Sequence, residues 1–285
     1  MLRALARWRR SGFPAIERGP IDIAYGADRT ELSDVFRSLA TRLATYRSSV
    51  VRTISPNDAM YRGSDEEYFF VGASAIVAIA HAMSRVGKTS LNSILDLPCG
   101  HGRALRMLAA AFPEASLTAC DIDRDGVRFC AKAFDATPVI SQPEPREIPV
   151  SGSFDLIWCG SLLTHLDAHL WDAFLDFFTE RLVEGGLLVF STHGRSIPRR
   201  GPKDDERWRS IVADVERSGF GYRDHPHARG YGTSIAKPSW VMERFYERSS
   251  LIVVSYSERA WADHHDIVAA VKADVHHRQG DHVVI

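Results

Sequence analysis

Ile94-Leu95-Asp96-Leu97-Pro98-Cys99-Gly100-His101-Gly102-Arg103 is the stretch that decides the fold. The short apolar run 93–95 ends in an acid, Asp96, and a tight turn with two glycines follows. Beyond the turn, Ala104, Leu105, Met107, Leu108 and Ala111 recur at helical spacing. A strand, a glycine turn and a helix in that order build a ligand crevice at the strand ends of an open α/β sheet. Glycine serves such a turn because a ligand can approach a backbone that lacks Cβ, and because positive φ carries no steric cost there.

The turn differs from a dinucleotide fingerprint in two ways. Leu105 stands where G-x-G-x-x-G has its third glycine, and the acid Asp96 lies where a pyrophosphate would sit. A carboxylate there suits a ligand with positive charge, which argues against an NAD-dependent oxidoreductase. The stretch resembles the first motif of the class I S-adenosylmethionine-dependent methyltransferases. That motif is an acid at a strand end followed by three alternating glycines. Asp96, Gly100 and Gly102 fit it, and Pro98 replaces the first glycine. Proline fixes φ near −65°, so the first position of this turn needs no positive φ. The resemblance implies S-adenosyl-L-methionine as cofactor. Asp96, Pro98, Cys99, Gly100, Gly102 and Arg103 would surround its amino-acid end.

A second strand, residues 116–121, ends in Asp121, about twenty residues beyond Gly102. Nucleotide-binding α/β units place a ribose-binding carboxylate at that distance, although alone Asp121 is also an ordinary turn residue. Asp123 reads as the cap of the next helix, residues 124–134. Ile122 is the expected apolar partner of an adenine face, with Cys159 and Gly160 on the fourth-strand side and Glu144 near the amino group.

The rest of the chain keeps the alternation. Residues 137–140 form a third strand. Residues 153–159 form a fourth, whose Phe154-Asp155 start resembles the family's fourth-strand motif. A helix follows at 167–182, and the Gly185-Gly186 turn enters a fifth strand, again as in the family. Runs at 251–256 and 266–271 give the last two strands, an antiparallel edge pair. The expected fold is α/β: a doubly wound, mostly parallel seven-stranded sheet, Rossmann-like, with an N-terminal helical lid. Residues 1–90 form that helical segment and 91–275 the cofactor-binding domain, with an insertion at about 194–240. Residues 276–285 are a tail. In the lid, residues 31–46 are helical by period, and Ser64-x-x-Glu67 is a capping box for an apolar helix too short to span a bilayer. Tyr61, Arg62 and Tyr68 face the site or pack the lid. The insertion carries acceptor specificity or is a solvated connection with one helix, 205–218.

The 285 residues are 45% hydrophobic and 25% charged, with a net charge of −1, which is ordinary globular material. Near-neutral charge argues against nucleic acid as partner. No long apolar span points to a membrane. The four cysteines form no Cys-x-x-Cys pair and read as buried hydrophobes of a reducing, cytoplasmic protein. The Arg-rich residues 1–10 read as a basic helix or, less simply, a transit peptide. No metal is expected. His165 and His169 have helical ligand spacing, but Asp167 as a helix cap separates them. The adjacent pairs His264-His265 and His276-His277 would point apart on a helix or strand.

The resemblance implies methyl transfer to a small-molecule or saccharide-like acceptor, with O-methylation the leading expectation. A non-catalytic module that keeps the fold is the alternative. An acceptor hydroxyl needs a base. His165, after the fourth strand, is the first candidate and His193, after the fifth, the second. Both also read as histidines that hold loop backbone.

Overall fold

A computed structural model describes residues 37–273, apart from 40, 43 and 203. The Arg-rich residues 1–10, the first part of the 31–46 helix and the 276–285 tail with His276-His277 lie outside the described residues.

The long helix α1 (Asp65–Arg85) starts where the capping box put it, with the Ser64 hydroxyl accepting from Glu67 N at 3.2 Å. Its composition alone would let it cross a bilayer, but most of that window is buried inside the fold. β1 (Ser93–Asp96) and α2 (Leu105–Ala111) flank the glycine turn. β2 (Ser116–Asp121), α3 (Arg124–Phe134), β3 (Thr137–Ile140) and β4 (Phe154–Cys159) follow as read from the sequence. So do α4 (Ala168–Arg181) and β5 (Leu182–Thr192). Asp123 and Asp167 cap α3 and α4, accepting from Asp125 N and Leu170 N.

The insertion holds more than one helix. After α5 (Glu206–Ser218), β6 (Phe220–His225) and β7 (Ala228–Ala236) pair as an antiparallel hairpin outside the main sheet. Then come α6 (Pro238–Tyr246), β8 (Leu251–Trp261) and β9 (His265–Lys272). β8 is longer than its apolar run, because it continues through polar residues to Trp261, and β9 extends by one residue at each end.

The main sheet has the order β3-β2-β1-β4-β5-β9-β8. β1 to β5 are parallel, and β9 is antiparallel to both its neighbours. β9 therefore lies inside the sheet and β8 forms the edge. Alternation sorts the side chains into two cores. Ile94, Leu156 and Trp158 face α1, α2 and α3, whereas Leu95, Ile157 and Phe190 face α4 and α6. The order reverses beside β1, and the crevice at that switch point is where open α/β sheets bind ligands.

Asp155 closes the opposite end of the sheet. It accepts from Asn92 N, Ser93 N and the Ser93 hydroxyl and pairs with Lys88 at 3.3 Å. Against the cost of burial, the Asn92 N–H and Lys88 hold its carboxyl below the ordinary value. The Phe154-Asp155 pair is thus a fastening at the foot of β4, remote from the strand ends that form the crevice.

Candidate active site

The glycine turn is built as its residues require. Gly100 and Gly102 have φ of 49° and 77°, and Pro98 follows a cis Leu97–Pro98 bond. A Cβ at Gly100 would meet nothing within 4 Å, so space above this backbone is open. A Cβ at Gly102 would strike the Phe134 ring, so that glycine serves packing as well as φ.

Asp96, at the end of β1, is fully buried, and neither carboxylate oxygen has a hydrogen-bond partner. Burial, with the nearby Asp121 charge adding to it, pushes its carboxyl well above the ordinary value. A buried acid without a donor is costly. It is the expected neighbour of a cation that arrives with a ligand.

Asp121 is also buried, and each oxygen already accepts one backbone N–H: Gly100 N at 2.7 Å and Asp123 N at 2.9 Å. It therefore ties the glycine turn to β2, with one acceptor site left on each oxygen. Burial raises its carboxyl, and those two backbone bonds oppose the rise. Ile122, the next residue, is 65% exposed, a large apolar side chain at a strand end with nothing on it. Cys99 and Cys159 are buried. Gly160 packs where a Cβ would meet the Trp158 and Trp261 rings, and Glu144 is exposed.

Arg103 is half-buried, and its guanidinium lies 6.0 Å from the Trp261 ring centre. Among the described residues it has no hydrogen bond or ion pair. Arg106, which sequence reading passed over inside an apolar helix, is fully buried. All five of its N–H donors are used. They reach Gly102 O and His101 O in the glycine turn, Val51 O and Thr53 O in the preceding segment, and the Tyr68 hydroxyl. Tyr68 in turn donates to Asp58 Oδ2 at 2.6 Å. Tyr68 is thus a buried fastening of the N-terminal segment, while Tyr61 and Arg62 are exposed. Asn57 extends the fastening to Asp125 at the start of α3.

The hairpin from the insertion reaches the loops after β4 and β5. His165 lies in a single 3-10 turn, Leu163–His165, ahead of the Asp167 cap. It donates from Nδ1 to Gly232 O at 2.7 Å and stacks on Tyr231 at 4.6 Å. His193 donates from Nδ1 to Ser234 O at 3.0 Å. The Ser234 hydroxyl bonds Leu163 O, and Ala236 N bonds His193 O. One strand, β7, therefore holds both candidate histidines. Burial lowers both, His193 to about 3, with the Gly232 and Ser234 bonds opposing. Sequence reading missed this hairpin, whose signal is the alternation of Phe220 and Tyr222 and of Tyr231, Thr233 and Ile235 about a His-Pro-His turn.

His264 and His265 do not point apart. They sit at a tight turn, where Ala262 and Asp263 have φ of 51° and 55°, and their rings meet edge-on at 4.6 Å. The rule for adjacent residues applies within a regular element, and this turn is not one.

A parallel sheet reversing at β1, a glycine turn under an orphaned acid and a second acid closing β2 make the Rossmann-like fold found in class I S-adenosylmethionine-dependent methyltransferases. Residues 95–188 match the family model described as "Methyltransferase domain". A curated relative, the fatty-acid O-methyltransferase of Mycolicibacterium smegmatis, is 26% identical over 143 residues, 49% of this chain and 48% of the relative. The chain thus aligns over about half the length of that relative. Among solved structures, the fold is similar to the PH0226 protein of Pyrococcus horikoshii, at TM-score 0.51, 11% identity and coverage of 76% and 96% of the two chains. It is similar also to the DhpI–SAH complex, at TM-score 0.50, 17% identity and coverage of 82% and 97%.

Proposed function

We propose that the chain binds S-adenosylmethionine at the ends of β1 and β2 and methylates an oxygen of a small-molecule acceptor. The observation that carries the cofactor assignment is Asp96, a buried carboxylate with no donor of its own beside a glycine turn with open space above it. An amino-acid ammonium would supply that donor. The free acceptor sites of Asp121 suit the ribose hydroxyls, and exposed Ile122 suits one face of the adenine. Bound there, the cofactor supplies an activated methyl group. Every other contribution is positioning, exclusion of water and the handling of the acceptor's proton.

The acceptor reading rests on the His165 tautomer. A carbonyl only accepts, so Nδ1 bears the proton given to Gly232 O, and Nε2 keeps its lone pair. That nitrogen is the proposed base for an acceptor hydroxyl. A second reading, a carboxylate acceptor that needs no base, is favoured by Arg103, which has no ion pair among the described residues, and by the name of the curated relative.

Two measurements test the cofactor site. Asp121→Ala should weaken S-adenosylhomocysteine binding about tenfold or more, since hydrogen bonds to a charged group contribute roughly 1.5–3 kcal/mol. Unchanged affinity by calorimetry removes the ribose assignment. Asp96 makes a prediction about pH. Its proton is held more tightly in the folded state than in the unfolded state. The folded protein therefore binds more protons above pH 3.8, and stability falls as pH rises from there to the raised folded value. Asp96→Asn should remove that fall. Denaturant titrations of the two proteins across this range should diverge with rising pH, with the variant the more stable. Parallel curves would mean that Asp96 finds a partner in solution.

A further inference from the structure

The β5–β9 end of the sheet gathers three imidazoles, among them His193, the second base candidate, that methyl transfer through His165 leaves unused. His193 follows β5, His264 lies in the turn between β8 and β9, and His265 opens β9. One ring nitrogen from each lies within 4.8 Å of those of the other two. The His193 and His265 rings are nearly parallel, 4.9 Å apart at 9°.

We propose that His193, His264 and His265 form a site for one divalent transition-metal cation of the zinc class. Imidazole is the ligand chemistry that suits such ions. His193 already has the orientation a ligand needs. Its Nδ1–H is committed to Ser234 O, so Nε2 presents the lone pair, and a backbone carbonyl is a common outer partner of a metal-bound histidine. The backbone of His193 is also pinned, because its main-chain carbonyl accepts from Ala236 N. His265 stacks on Trp261 at 5.1 Å, which places it on the rigid β8–β9 ladder. His193 is buried and His265 partly so, whereas His264 is open to solvent and gives an ion its way in.

The geometry needs a modest closure. With metal–nitrogen bonds of about 2.0–2.1 Å, tetrahedral ligands stand about 3.3 Å apart. The nitrogens must therefore close by at most about 1.5 Å, and the His265 ring must also turn out of its stack on His193, because the in-plane lone pairs of two parallel rings cannot meet on one ion. Three neutral ligands leave one tetrahedral position open, as in exchangeable rather than closed structural sites. The charges nearby bear on what fills it. Arg200, which acts on His264, is held by Asp263, whose carbonyl accepts from it at 2.8 Å. Arg103, which acts on His265, has no ion pair among the described residues, and an anionic oxygen ligand is the fourth partner its charge favours.

The test uses the full chain, freed of metal with a chelator and titrated with Zn²⁺ by calorimetry and with Co²⁺ by visible absorption. One ion per chain is expected, with Co²⁺ bands of a four-coordinate site. His264→Ala and His193→Gln should each weaken binding at least tenfold. Because His264 is solvent-exposed, its variant should keep the metal-free unfolding midpoint, which separates loss of a ligand from loss of fold. A His276→Ala/His277→Ala double variant, which removes the other adjacent pair, should bind as wild type does. The absence of saturable binding, or binding lost in that double variant but kept in His264→Ala, overturns the site. Neither readout involves methyl transfer, so this failure is distinct from failure of the proposed activity.

Discussion

Arg106→Ala is expected to destabilise the protein by roughly 3–5 kcal/mol, the usual cost of removing one member of a buried charged network. The guanidinium has no exposed surface, and its five bonds join three parts of the chain that are far apart in sequence. Without it, the carbonyls of Val51, Thr53, His101 and Gly102 lose a donor, and at the buried His101 and Gly102 water cannot readily replace it. Its charge also balances Asp58, reached through the Tyr68 hydroxyl. A domain of this size loses about 2–4 °C of midpoint per kcal/mol, so the transition should fall by about 10 °C. Arg106→Lys should rescue little, because an ammonium has three donors and cannot span the same fork. Two of the carbonyls that lose a donor belong to the glycine turn, although Gly102 O keeps the bond from the backbone N of residue 106, so S-adenosylhomocysteine affinity should fall in both variants. A midpoint within 2 °C of wild type in Arg106→Ala would show that the segment before α1 is held by packing alone.

Arg106 also marks where sequence reading stops. The apolar residues around it fixed α2, and a charged residue between Leu105 and Met107 reads as the solvent face of that helix. It is buried because residues 51–53 cross that face, a long-range contact with no local signature. The parallel core of the sheet was legible for the opposite reason. Each strand from β1 to β4 is a short apolar run whose ends carry their own punctuation: Asp96, Asp121, and the caps Asp123 and Asp167. The same locality made the glycine turn legible, since φ and close packing act within a few residues. The candidate acids Asp96 and Asp121 could therefore be named from sequence, whereas the bond from Gly100 N to Asp121 could not. The three-histidine cluster failed as a sequence signal because it joins the end of β5 to a turn about seventy residues later. Two left-handed residues in that turn overrule the rule for neighbouring side chains. The β6–β7 hairpin had a local signal in its alternating strand formers, Phe220 and Tyr222 on one side and Tyr231, Thr233 and Ile235 on the other. Its contact with the loops after β4 and β5 did not.

That contact sets up the second large effect. His165→Gln is expected to lower turnover on a hydroxyl acceptor by roughly 10²–10⁴, the range for loss of a general base. Glutamine can still donate to Gly232 O and lie against Tyr231, so the loop after β4 should keep its shape. S-adenosylhomocysteine affinity should then stay within about twofold of wild type, because the histidine's ties run to the hairpin and not to the glycine turn. The wild-type pH profile gives an independent sign. A base must be unprotonated to act, and burial, with His225 adding to it, holds His165 below its ordinary 6.5 despite the bond to Gly232. Activity should therefore persist below pH 6.5 and fall only as pH drops through that lowered value. The acid limb should vanish in the variant. Turnover that survives His165→Gln with the profile unchanged would give the acceptor step to an oxygen already ionised at neutral pH. Arg103, without an ion pair among the described residues, would then be the residue to test next, since a carboxylate acceptor needs a cation rather than a base.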